Sequence, residues 1–119
     1  MRRLFLFFAS LILLSACATS PPLTENEIDP GPYPSNYEDI IRQHLKQTLF
    51  DPDSLRDLSV PAPTKLLVKS NYRDFGIREG QYVYECKYVW YNAKNQMGGY
   101  TGKKPHIFWI RNGTVVMGW

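Results

Sequence analysis

The sequence predicts an α+β domain: an N-terminal helix, followed by a short second helical turn, packed on a small antiparallel sheet of three to four strands. Three observations carry that prediction. Apolar residues recur at spacings of three and four over positions 37–50, the signature of one helix face. Over positions 81–91 the period becomes two, with tyrosines and valines, the signature of a strand. Asn112-Gly113 then stands between two apolar runs, the strongest short signal for a hairpin. Helical pattern first and antiparallel strands after it argue for two layers around one core.

Order is expected from Ser35. Ser35-Asn36-Tyr37-Glu38 matches a capping box, in which a serine oxygen and a glutamate three residues later satisfy helix N–H groups. Tyr37, Ile40, Ile41, Leu45, Leu49 and Phe50 mark the apolar face, with Arg42, Gln43, Lys46 and Gln47 opposite. Glu38 and Asp39 at the start and Lys46 near the end suit the helix dipole. Pro52 disfavours helical geometry at Asp51, so the helix ends there. The same pair opens the second turn, Asp51 as N-cap and Pro52 at the first position, ending by Leu58. Asp51, Asp53 and Asp57 lack the glycine and distal glutamate of an EF-hand, so they read as caps and not as a calcium loop.

Residues 65–70 form a short apolar run, and residues 71–80 a loop or wide hairpin connection. In the strand that follows, Tyr82, Tyr84, Cys86, Tyr88 and Trp90 face one way. Val83, Glu85, Lys87, Val89 and Tyr91 face the other. Residues 105–111 form the next strand, and a type I′ turn at Asn112-Gly113 pairs it with residues 114–119. A two-residue turn sets Ile110 opposite Val115, Trp109 opposite Val116 and Phe108 opposite Met117. Cys86 reads as a small buried hydrophobe, or else as a reactive thiol or an intermolecular disulfide partner.

The first 34 residues stand apart from this domain. Arg2 and Arg3 precede an apolar run over residues 4–14, and small Ser15 and Ala16 follow, which is the layout of a signal peptide over residues 1–16. The run is short of the roughly 20 residues that span a bilayer. Leu14-Ser15-Ala16-Cys17 resembles the lipobox of bacterial lipoproteins. The resemblance implies cleavage before Cys17, a diacylglycerol thioether on its sulfur and acylation of its amine. Ala18, in place of an aspartate, implies the outer membrane, in the inner leaflet facing the periplasm. The other reading is a plain secreted protein with an incidental cysteine. Residues 18–34, rich in Pro, Thr, Ser and acids, read as a flexible tether between Cys17 and a single domain over residues 35–119. Removing Arg2 and Arg3 from the 14 Lys and Arg leaves 12 against 11 Asp and Glu, a balance with no electrostatic case for nucleic acid or an acidic membrane surface. With Cys17 lipidated, Cys86 has no partner within the chain, and no disulfide framework is available.

Chemistry is sparse. Gly98-Gly99-Tyr100-Thr101-Gly102-Lys103-Lys104 invites comparison with a phosphate-binding loop. Three residues separate its first glycine from Gly102-Lys103 where four are needed, Lys104 replaces the hydroxyl, and a strand follows instead of a helix. His44 and His106 stand alone, with no serine, Cys–His or carboxylate pattern to suggest catalysis, a metal or a cofactor. Two elements resemble a recurrent pattern in small bacterial envelope lipoproteins of uncharacterised function. Asp51, Pro52 and Ser54 match a D-P-x-S element after the helix. Asn92, Ala93, Lys94, Asn95, Gly98, Gly99, Tyr100 and Gly102 match an N-A-K-N-x-x-G-G-Y-x-G loop. The resemblance covers about residues 35–117 and implies location and fold, with no activity to transfer.

The loop over residues 92–104 has two readings. In one, Gly98, Gly99 and Gly102 supply positive φ angles while Asn92 and Asn95 bond the backbone, and the loop is only a turn. In the other, it presents Lys94, Tyr100, Lys103 and Lys104 beside exposed Trp90 and Tyr91, an aromatic and basic surface for a partner. The expected function is a lipid-anchored, non-catalytic interaction or structural module of the envelope. The alternative is a binder of a small ligand or cell-wall fragment, and an unrecognised enzyme comes third.

Overall fold

Residues 21–119 are described by a computed structural model. The signal segment and Cys17 lie outside the described residues. The fold is mixed α+β and mostly sheet. Helix α1 spans Glu25–Ile28 and α2 Tyr37–Thr48. Strands β1 (Arg56–Ser59), β2 (Thr64–Leu67), β3 (Tyr82–Asn92), β4 (Lys104–Arg111) and β5 (Thr114–Gly118) form one antiparallel sheet. The described residues therefore form five strands, against the three to four expected. Its order is β1-β3-β4-β5, and β2 also pairs with β3. β1 and β2 share one sheet position, running in succession along β3. Pro61 and Pro63 cannot donate to a ladder, so they divide a single edge strand in two.

α2 lies on one face. Ile41 and Leu45 are fully buried against Tyr84, Cys86, Val89, Phe108 and Ile110. Each such aliphatic side chain contributes about 1.5–3 kcal/mol on burial. The capping box expected at Ser35 is not formed. Asn36 is the N-cap and makes no side-chain cap bond, and Ser35 still belongs to the turn before it, its N–H donating to the Tyr33 carbonyl at 2.9 Å. A capping box does occur earlier, where Thr24 and Glu27 cap the start of α1. α2 ends at Thr48, which leaves Phe50 exposed and not on the helix's buried face. The second turn is a single 3-10 turn, Pro52–Ser54, and Asp57 and Leu58 already belong to β1. Asp51 makes no side-chain cap bond there. The Ser54 hydroxyl closes the turn instead by donating to the Asp51 carbonyl at 2.7 Å.

The opposite face has its own small core of Val68, Ile77, Val83, Trp109 and Met117. The connection between β2 and β3 folds over it, with Tyr72 edge-on to Trp109 at 5.1 Å. Buried Glu85 accepts the Trp109 indole N–H at 2.8 Å and lies 3.5 Å from Lys87, so its charge is not left unpaired.

Three bulges change which residues share a face. On β3, Cys86 pairs with Phe108 but Val89 pairs with His106, three residues against two, and Tyr88 takes up the surplus at φ +60°. Strict alternation therefore fails after Cys86. The helix side receives Tyr84, Cys86, Val89 and Tyr91, and Tyr88 is thrown outward. On β1, Asp57 at φ +59° is the surplus residue. On β5, Ile110 faces Val115 across the turn, but Trp109 then faces Met117 and Phe108 faces Gly118, so the register expected from the turn slips by one at Val116. Asn112 and Gly113, at φ +50° and +74°, make the turn itself as a type I′ turn demands.

Residues 21–34 differ most from expectation. They do not stand off as a tether: they form a strap bound to the start of β3 and the end of β4. The Arg111 guanidinium donates to the carbonyls of Glu27 (2.7 Å), Asp29 (3.0 Å) and Tyr82, with Ile28 at 3.5 Å. Gln81 Nε2 donates to the Glu27 carbonyl at 2.8 Å, and the Asn112 N–H to that of Pro30 at 2.7 Å. Pro30 is fully buried, and Tyr33 packs edge-on to Tyr84, whose hydroxyl donates to the Gly31 carbonyl. The composition is that of a tether because the strap is held through its carbonyls, which every residue has.

Candidate functional site

The β3–β4 loop is built by its own asparagines. Asn92 Oδ1 accepts the Gly102 N–H at 3.0 Å, tying the two ends. Asn95 Oδ1 accepts from Met97 (2.9 Å) and Gly99 (3.3 Å), and its own N–H donates to the Gly99 carbonyl at 2.9 Å. Lys94 and Tyr100 bridge across the loop. Gly98 and Gly102 sit at φ +78° and +89°, where a side chain is strained. Gly99 does not: its φ is not positive, and a Cβ there meets nothing within 4 Å. The expectation that all three glycines supply positive φ therefore fails at Gly99.

The two elements singled out in the sequence touch. Ser54 Oγ accepts the Lys94 N–H at 2.8 Å while donating to Asp51, so the 3-10 turn after α2 anchors the first residues of the loop. Tyr100 stays exposed, with the Arg56 guanidinium 3.5 Å from its ring centre and Lys94 Nζ 5.6 Å. Arg56 is held there because β1 pairs it with Asn92.

The six candidate binding residues do not form one surface. Trp90 and Tyr91 are neighbours on β3 and point to opposite faces, Tyr91 toward the helix side. Tyr91 is half-buried and stacks on His106 with ring centres 4.3 Å apart. Lys103 is exposed, and Lys104 opens β4 opposite Tyr91. Of the six, Tyr91, Lys94 and Lys104 come together, in a groove of about 330 Å³ between the end of α2 and the loop. Phe50, Thr101 and His106 also line it. A second depression of about 260 Å³ shares Tyr91 and His106 and continues past His44 and Phe108. Sequence reasoning misses these additions. Helical spacing assigns Phe50 to the buried face of α2. His106 reaches Tyr91 only through the β3–β4 register, which the bulge at Tyr88 sets.

Burial governs the titration of the groove. It lowers the pKa of His44, and it pushes the Tyr91 phenol up. His106 is lowered by burial first; the Trp119 backbone pushes it back up, and Lys104 pushes it down. Neutral imidazoles beside two lysines, with no Asp or Glu lining either depression, suit an anionic group. Cys86 is fully buried, and burial, followed by the Glu85 charge, pushes its thiol up to about 11, so it is no nucleophile. Among the described residues no three His, Cys, Asp or Glu side chains gather as metal ligands do. No protein-family model, no curated protein and no solved structure matches the chain.

Proposed function

We propose that this chain is a lipid-anchored, non-catalytic interaction module of the bacterial cell envelope, held through Cys17 in the inner leaflet of the outer membrane. The observation that carries the reading is Leu14-Ser15-Ala16-Cys17 behind Arg2, Arg3 and the apolar run of residues 4–14. In this reading the helix and the small antiparallel sheet behind it serve as the scaffold that displays a binding surface, without chemistry of their own. Cell fractionation tests the anchor: Cys17→Ala moves the protein from the membrane to the soluble fraction, and unchanged membrane retention refutes it. Capture from detergent-solubilised envelopes tests the module, which should recover a partner protein in stoichiometric amount.

A second reading, a ligand-binding module, is favoured by one feature, the groove lined by Lys94, Lys104, Tyr91 and His106. Its ligand would carry a carboxylate between the lysines and a flat or apolar group over the Tyr91–His106 stack. Titration with anionic cell-wall muropeptides, followed by amide shifts of Thr101 and His106, tests it. Equal shifts in a Lys94→Ala/Lys104→Ala protein would count against it.

A further inference from the structure

We propose that the loop between β2 and β3 is a membrane-docking face, and that it stands the sheet upright so that the β3–β4 loop points away from the bilayer. The proposal rests on the Cys17 anchor. Its occupant, a phospholipid surface, follows from how little chain separates that anchor from the strap. From Cys17 to Pro21 there are four Cα steps, at most about 14 Å fully extended. Pro21 is already bound to the domain, since Arg78 donates to its carbonyl at 2.7 Å. A domain on a 17-residue tether could sit anywhere near the membrane; one strapped from Pro21 onward presents the end that holds Pro21.

That end is the loop of residues 71–80. A 3-10 turn, Arg73–Phe75, forms its tip and closes on Gly76. Phe75 is 49% exposed and Tyr72 36%, with exposed Arg73 between them. Aromatic rings and arginines are the side chains that settle at the headgroup level. Charge is not the driver. Arg73, Arg78 and Lys69 are matched in number by Asp74, Glu79 and Glu27, and Glu27 lies 3.8 Å from Arg78. Insertion of Phe75 and Tyr72 is therefore expected to depend weakly on salt.

The opposite end of the sheet gains its meaning from this placement. β3 begins two residues after Gly80 and runs through Asn92 straight into the β3–β4 loop. Eleven residues of strand span about 35 Å. With Phe75 at the lipid, Met97, Lys94 and the groove lie on the far side, facing the periplasm. The same strand thus links a membrane end to a presenting end.

Nitroxide labels test this on the full lipidated chain in phosphatidylethanolamine–phosphatidylglycerol vesicles. Asp74→Cys and Met97→Cys each add one reactive thiol, because Cys86 is buried. The label at 74 should be shielded from a water-soluble nickel relaxant and relaxed by oxygen, while the label at 97, on a residue 92% exposed, stays open to nickel. Adding Phe75→Asp should return the label at 74 to water. An intact lipoprotein whose two labels are equally open to nickel overturns the docking and leaves the anchor standing. Absence of the diacylglyceryl mass on Cys17 overturns both.

Discussion

Arg111→Met should release the strap. Arg111 is buried at the end of β4 and donates to two strap carbonyls, those of Glu27 and Asp29, and to the carbonyl of Tyr82 on β3. Bonds to a charged donor contribute about 1.5–3 kcal/mol each, and bonds sharing one guanidinium are not additive. Methionine keeps the apolar stem, and the strap carbonyls can rehydrate once it lifts, so the expected cost is about 3 kcal/mol. That is a large share of the roughly 5–15 kcal/mol typical of a domain. In urea, with a slope of about 1–1.5 kcal/mol/M for this size, the midpoint should fall by about 2–3 M. Limited proteolysis should then cut within residues 21–34 before the sheet is touched. Arg111→Lys should recover only part of the loss, because one ammonium cannot reach all three carbonyls. A midpoint change below about 0.5 M, with the strap still resistant, would refute the claim that Arg111 holds it.

Other outcomes follow from the same contacts. Gly102→Val, at φ +89°, should cost about 1–2 kcal/mol by thermal unfolding, while Gly99→Val, in open space, should stay within about 0.5 kcal/mol; equal losses would show that the loop's backbone is not what distinguishes them. Native Cys86 should resist maleimide at pH 8 and react once urea unfolds the chain, and rapid native labelling would mean the strand opens readily. His44 and His106 are both lowered from 6.5 by burial, so above that value each is neutral folded or unfolded. Below it the unfolded chain takes up protons first, and stability should decline as pH falls until the folded-state values are passed. Replacing both by Gln should flatten the melting temperature between pH 7 and 5, and an unchanged slope would place the titration elsewhere.

The membrane and groove readings put opposite demands on the two ends of β3. Phe75 and Tyr72 would be selected for apolar exposure, which elsewhere on a small domain favours association. Lys94 and Lys104 would be selected for charge with no carboxylate beside them among the described residues. Substitutions at one end should leave binding at the other unaffected, since the pairs lie far beyond the distance at which side chains couple directly.

What the sequence by itself determined is local. Period two over β3 specifies a strand, Asn112-Gly113 specifies a tight turn, and together they make a mixed, sheet-rich α+β domain legible from residue order alone. The resemblance of Leu14-Ser15-Ala16-Cys17 to a lipobox is likewise a reading of consecutive residues. Tertiary structure decided everything that depends on a second strand. A bulge is one residue too many relative to a partner, so no count along β3 alone could show that Tyr88 turns outward and brings Val89 and Tyr91 to the helix side. The groove inherits that shift, because Tyr91 meets His106 only in the shifted register. The strap was hidden for a different reason. Arg111 and Asn112 grip its backbone carbonyls, and a backbone carbonyl leaves no mark in composition.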